Sequence, residues 1–358
     1  MIRQRIFLDF LLKEWLLLVS VSGIAVTSVY LNRLPSYSIN DLQIIFILTV
    51  LFIVVKGLER SGLIGRLSQY LEKGPYLPLK LVCATFFLSM VVTNDVALVV
   101  IVPLTLALTT DQKDIIVILE ALAANAGSAL TPFGNPQNLF IYWFYNIQPE
   151  TFILSIAPFS MTFMALFVLA SLFVKTANNR KNNHANPPIN YSAFIYGALL
   201  LTVILTILRI LPVQAGIIVI IYALLFDRGS LHIDYALLLT LICFFGISEN
   251  MKSIFAANLE NAGHIFIFSA LASQVISNVP ATLLFAKFTT QWKALLWGAN
   301  VGGFGSLVGS LANLIAYRLY TSHESTSNPA VFTTKFIILG YLAFFIGLGL
   351  YFGMEKMR

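Results

Sequence analysis

Long apolar runs separated by short polar joints dominate this chain. Leu11 to Tyr30 forms one such run, Asp41 to Val55 nearly another and Thr151 to Val174 a third. About 20 apolar residues in a helix cross a hydrocarbon core of roughly 30 Å, so the pattern predicts an all-α polytopic membrane protein. We expect about nine spans together with two shorter, interrupted hairpins.

The first spans fall at 15–31 and 39–56, followed by a charged amphipathic stretch from Lys56 to Lys73 that carries Arg60, Arg66 and Glu72. Leu77 to Leu108 is apolar except for a knot at Thr93-Asn94-Asp95 and reads as a hairpin, about 77–108. Lys113 to Trp143 reads as a helix broken near its middle, and 151–174 as a plain span. Residues 176–190 are Asn-rich with two prolines, an exposed linker. A span at 191–211 has no counterpart in the first half.

The plan then repeats. Spans near 213–227 and 234–248 lead to a polar stretch, Glu249 to Ala262. A hairpin at about 264–290 is knotted at Ser277-Asn278-Val279-Pro280, a broken helix covers 294–320 and a plain span 333–353. The expected organisation is a first repeat at 1–175, the linker, the extra span, and an inverted second repeat at 212–358.

Composition agrees with that class: 58% of the 358 residues are hydrophobic and 11% charged, against about a quarter charged in soluble domains. The net charge of +6 sits at the ends of apolar runs, not in a patch with interleaved aromatics, so nucleic acid is not an expected partner. With the N-terminus inside and each hairpin returning to its own side, fifteen Lys and Arg fall inside and seven outside, as the positive-inside rule requires. Among those outside is Lys287, and among those inside is Arg318. Each reads as an interfacial anchor or as an attractor of anions. The first span reads as an anchor, not a cleaved signal peptide. The expected location is the cell membrane, multi-pass, with a cytoplasmic N-terminus. Cys83 and Cys243 are solitary, and the four histidines lack ligand spacing.

The chemistry lies in an internal repeat. Ala124 to Leu139 aligns without a gap on Ala299 to Leu314, with six of sixteen positions identical. Asn125 meets Asn300, Gly127 meets Gly302, Gly134 meets Gly309, Asn138 meets Asn313, and Thr131 meets Ser306 with the hydroxyl kept. Upstream, Thr93-Asn94-Asp95 corresponds to Ser277-Asn278-Val279. Interrupted backbone inside a membrane is tolerated only where it is buried in protein or lines a wet cavity. Transporters place such breaks around their substrates and ions. A Gly-rich stretch can also mark a close helix contact, but two matched copies beside polar hairpin tips favour a site.

Asp95 is the one acid inside either hairpin. An intramembrane carboxylate carries an insertion penalty of about 2.5–3.5 kcal/mol, which points to proton or sodium binding, beside the simpler role of capping the helix that follows. Glu120 reads equally as a coupling acid or as half of a buried ion pair. No His, Cys or second acid is placed to act with Asp95 as an acid/base or nucleophile pair, so the chain is not expected to be an enzyme. It lacks a phosphate-cradling loop with its Lys.

At these residues the chain resembles the ion transporter superfamily, which groups arsenite efflux permeases, sodium/proton antiporters, citrate permeases, the melanocyte P protein and divalent-anion/sodium symporters. The likeness is carried by Thr93 to Leu98, Asn125-Ala126-Gly127, Thr131 to Asn138, Asn300 to Gly303 and Gly309 to Asn313. It is closest to the arsenite-permease and P-protein branch and to bacterial inner-membrane anion permeases of unassigned substrate. The resemblance implies re-entrant hairpins whose tips meet two broken helices around substrate and coupling ion, and a homodimer. The implied binding residues are Thr93, Asn94, Asp95, Asn125, Gly127, Thr131, Gly134, Asn135, Asn138, Ser277, Asn278, Asn300, Gly302, Ser306, Gly309, Ser310 and Asn313, with Asp95 and Glu120 coupling. Where the dicarboxylate symporters carry Ser-Asn-Thr at both tips, this chain has Thr-Asn-Asp and Ser-Asn-Val. The expected activity is secondary active transport of a small anion or oxyanion by alternating access, driven by a proton or sodium gradient. Sodium/proton antiport is the alternative. No cofactor beyond the coupling ion is expected.

Overall fold

A computed structural model describes residues 14–62, 76–108, 110, 112–174, 191–255, 260–323 and 328–356. The 176–190 linker, most of the charged stretch after Arg60 and nine of the basic residues used to orient the chain lie outside them.

The regular structure of the described residues is all helical, without strands. The first half contains α1 (Trp15–Leu31), α2 (Ile39–Arg60), α3 (Leu77–Val92), α4 (Asn94–Ala107), α5 (Lys113–Ser128), α6 (Pro136–Phe144) and α7 (Pro149–Leu172). After α8 (Ser192–Ile207), the second half contains α9 (Ile217–Phe226), α10 (Tyr235–Phe255), α11 (Ala262–Ile276), α12 (Asn278–Ala286), α13 (Trp292–Gly302), α14 (Leu311–Thr321) and α15 (Pro329–Glu355). Four segments are long and apolar enough to cross a bilayer: Ile39–Arg60, Pro149–Leu172, Arg228–Ile254 and Pro329–Glu355. They occupy matching places in the two halves, as α2 with α10 and α7 with α15. Their lipid-compatible outer faces are plain from exposed Leu154, Leu169, Ile338 and Phe345. This is a polytopic membrane protein. The polar stretch read from Glu249 onward is helical as far as Phe255, as a continuation of α10.

Local sequence explains where the helices stop. The α2 N-terminus is a capping box, in which the Ser38 hydroxyl accepts from the Asp41 N–H and the Asp41 carboxylate from the Ser38 N–H. Pro136 opens α6 behind an Asn135 cap, and Ser310 caps α14. The breaks are in register: α5 ends at Ser128 and α13 at Gly302, while α6 and α14 start at Pro136 and Leu311, which the 175-residue offset superposes. Within each helix pair, α3–α4 and α11–α12, a single residue forms the joint, Thr93 in one and Ser277 in the other.

Packing divides the molecule differently from the sequence. Helices α1, α2, α8, α9 and α10 pack among themselves, and α3 to α7 pack with α11 to α15. The two bundles meet mainly through α10 on α12 and α2 on α6. Each bundle therefore takes elements from both halves. The second bundle holds the pairs and the broken helices. Its centre is α5 and α13, buried along nearly their whole length.

Candidate functional site

The asparagines of the repeat lie at the centre of the second bundle and bond across the two halves. Asn125 Nδ2 donates to Asn313 Oδ1 at 2.8 Å, and Asn300 Nδ2 donates to Asn138 Oδ1 at 2.9 Å. The repeat equates Asn125 with Asn300 and Asn138 with Asn313, so these are two copies of one bond. Each second asparagine then turns its own amide onto the carbonyls freed by its helix break. Asn138 Nδ2 faces Ser128, Ala129 and Thr131 carbonyls, and Asn313 Nδ2 faces those of Gly303 and Ser306. A buried polar group left without a partner costs about 1–3 kcal/mol. The amides thereby supply the donors that two interrupted helices lack.

The matched hydroxyls do related work. Thr131 Oγ1 donates to the Met90 carbonyl at 2.8 Å, and Ser306 Oγ to the Gln274 carbonyl at 3.1 Å. Each pins a helix break to the first limb of the preceding pair, next to its tip. Gly127 and Gly302 sit at helix contacts. A Cβ on Gly127 would lie 2.2 Å from the Phe86 carbonyl oxygen of α3, and one on Gly302 would lie 2.5 Å from Ser273 of α11. Gly134 accepts from the Asn94 N–H, and Gly309 donates its N–H to Ser306 Oγ.

One cavity of about 130 Å³ opens beside this framework. Both pair tips reach it, through Asn94 and Asp95 on one side and Ser277 and Asn278 on the other. The starts of both second half-helices reach it too, through Pro136 and Gln137 and through Ser310 and Leu311. Four helix N-termini, those of α4, α6, α12 and α14, therefore converge on one space. Each carries the positive end of a helix dipole, equivalent to roughly half a charge. The first bundle closes the cavity with the start of α1, from Glu14 to Leu17, and the start of α10, with Asp234, Leu237 and Thr240. Arg318 from the last turns of α14 lines the same space.

Two buried acceptors in this lining have no hydrogen-bond partner, Asp95 Oδ1 and Gln137 Oε1. Asn94 Nδ2 instead donates to Asn125 Oδ1 at 3.1 Å, which ties the first tip to the amide framework. Ser310 Oγ donates to the same oxygen at 3.0 Å. Glu120 lies outside the cavity, fully buried in α5. The Thr105 hydroxyl donates to its Oε1, and its Oε2 has no partner. Glu120 thus forms no ion pair with a described residue. Lys287 stands far from the cavity, paired with Glu249 and Asp41.

Of the residues expected at the site, Asn94, Asp95, Ser277, Asn278 and Ser310 line the cavity, whereas Thr93, the four framework asparagines, Asn135, Thr131, Ser306 and the glycines stand behind it. Gln137, Asp234, Glu14 and Thr240 were missed. Gln137 had a local signal, a polar side chain in the first turn after a helix break. Asp234 had none, since it reads as an ordinary cap and its carboxylate accepts from the Leu237 N–H. The acids do not gather into a metal-binding group among the described residues.

Comparison with known proteins places the chain among membrane transporters. The chain is 32% identical over 349 residues to the uncharacterized transporter MJ0456 of Methanocaldococcus jannaschii, covering 93% of this chain and 95% of that one. It is 34% identical over 297 residues to the inner membrane protein YbiR of Escherichia coli, covering 78% and 80%. A shorter match, 32% identical over 145 residues, reaches the silicon efflux transporter LSI3 of Oryza sativa subsp. japonica and covers 38% of this chain and 30% of that one. The profile of the citrate transporter family, CitMHS, matches residues 10–297. With a family model matched over most of its length and a relative of nearly equal length, this chain belongs to the CitMHS citrate transporter family.

Proposed function

We propose that this protein is a secondary active carrier of a small anion or oxyanion, working by alternating access and coupled to a proton or sodium gradient through Asp95. The observation that carries the reading is the convergence of four helix N-termini on one cavity that Arg318 also lines. Helix N-termini bind anions through free N–H groups and the dipole, and half-helices aimed at a central site are a transporter's device for holding a carboxylate. The family's citrate transport and the silicon efflux of a partial relative support a small oxygen-rich cargo. Asp95 supports coupling because it faces that cargo space with one buried oxygen unpartnered. A proton or a sodium ion would satisfy that oxygen. Glu120, away from the cavity, fits a supporting acid on α5 that accepts from the Thr105 hydroxyl of α4.

A second reading, sodium/proton antiport, is favoured by one feature of the same cavity: three acids, Glu14, Asp95 and Asp234, line it against a single Arg318.

Thermal stability of the detergent-purified protein separates the two. A ligand that binds only the folded state stabilises by about 2.7 kcal/mol at a hundred times its dissociation constant. The panel is citrate, succinate, phosphate, sulfate, arsenite, silicic acid, sodium and lithium, each at two pH values. The anion reading expects a saturable shift with one anion, weakened in Arg318→Gln and Asn278→Ala and altered in its pH or sodium dependence in Asp95→Asn. A shift with sodium or lithium alone, growing as pH rises and lost in Asp95→Asn, would establish the antiporter instead.

A further inference from the structure

Away from the cavity, a cluster of charges joins the two bundles. Lys287 ends α12, the return limb of the second helix pair, and only 9% of its side chain is exposed. Its ammonium lies 2.9 Å from Glu249 of α10 and 3.7 Å from Asp41 at the start of α2. Asp41 is itself immobilised by the α2 capping box. Of the ion pairs formed between described residues, this triad alone joins the two bundles. It coincides with a further tie, from Ser248 Oγ of α10 to the Leu284 carbonyl of α12 at 3.3 Å.

Its position relative to the cavity gives it a role. Pro280 is the last residue of α12 to line the cavity and Lys287 comes seven residues later, about 10 Å along a helix. On α10, Thr240 is the last residue to line the cavity and Glu249 comes nine residues later, about 13 Å further along. The same two helices therefore border the cavity at one end and are bound together by the triad at the other. Any motion that exposes the tips to the opposite side must part α12 from α10 and α2 there, and so must break this pairing. Taking one partner from a largely buried ion pair strands the charge of the other, so such a pairing is either whole or costly to split. It is thus suited to a contact with two discrete settings.

We infer that Lys287, Asp41 and Glu249 form the latch that keeps the face opposite the cavity closed, and that its breakage accompanies the switch to the other access state. The inference rests on the alternating-access reading but not on the identity of the cargo.

Hydrogen–deuterium exchange of the full-length protein in detergent, with no solute added, tests it. In Lys287→Met, exchange rates at residues 284–290 and 38–42 should rise at least threefold, while those at 234–240 fall. A charge that only supports the fold would raise exchange near itself without protecting the distant cavity end. Lys287→Arg should keep the wild-type pattern. Glu249→Gln, which leaves Asp41 to hold the lysine, should move both ends in the same directions by a smaller factor, and it carries the test if Lys287→Met does not fold. Unchanged exchange at both ends, or a rise at both, would overturn the latch. A reciprocal shift in a protein that ignores every solute of the thermal panel would leave the latch standing and remove the proposed cargo.

Discussion

Thr93 and Ser277 adopt φ of 94° and 72° with ψ of 152° and 155°, a region that glycine occupies freely and residues with a Cβ occupy at a cost of about 1–3 kcal/mol. Both are the single residues at which a helix pair turns, so the strain is placed where Asn94, Asp95 and Asn278 are presented to the cavity. Replacing either residue by glycine relieves the strain but adds freedom to the unfolded chain. We expect Thr93→Gly to raise stability by up to about 1 kcal/mol, read as a higher midpoint in thermal unfolding, and Ser277→Gly to behave alike. A drop of similar size would mean that the hydroxyls, not the backbone, hold the tips. The polar knots themselves were legible in the sequence as breaks in apolar runs. Their left-handed backbone was not, because Thr and Ser carry no sign of it.

At the scale of elements, α5 stops at Ser128 and α6 starts at Pro136, and the break between them holds Pro132 and Gly134, which cannot continue a buried helix without loss. Their purpose was less legible. A glycine beside a polar motif fits both a ligand contact and a close helix contact, and only packing separates them. For Gly127 and Gly302 the packing is against α3 and α11, with no room for a methyl group. Gly127→Ala should lower stability by roughly 1–3 kcal/mol through overpacking of a backbone contact, while any ligand-induced shift in the thermal panel keeps its concentration midpoint. A weakened ligand midpoint at unchanged stability would return Gly127 to the binding site.

At the scale of the molecule, periodicity pointed to the all-helical polytopic class, and the repeat to the matched asparagines. Neither could give the division into two bundles that cuts across the repeat. For that reason Asp234 and Glu14, contributed to the cavity by the first bundle, escaped the sequence, while Asn94 and Asp95 did not. The bonds between halves also changed the meaning of four predicted ligands. Asn125 with Asn313 and Asn300 with Asn138 join the repeats to each other. A double-mutant cycle on Asn300→Ala and Asn138→Ala should show a coupling energy of about 0.5–3 kcal/mol, with each single change costing about 1–3 kcal/mol. Additive losses would show that the amides act independently.

That reciprocal exchange has a further consequence. It is an isologous joint, the kind two identical copies make with each other, and it asks nothing of the residues in which the halves differ. Those are the residues that carry charge or an open acceptor: under the repeat Asp95 meets Val279, Glu120 meets Leu295, Gln137 meets Ala312 and Arg318 meets Trp143. Symmetry in this protein covers the scaffold and the paired helix N-termini, while the charged and open-acceptor groups fall among its exceptions. Selectivity can therefore drift by exchange at a few unmatched positions, while the frame that holds the interrupted helices stays as it is.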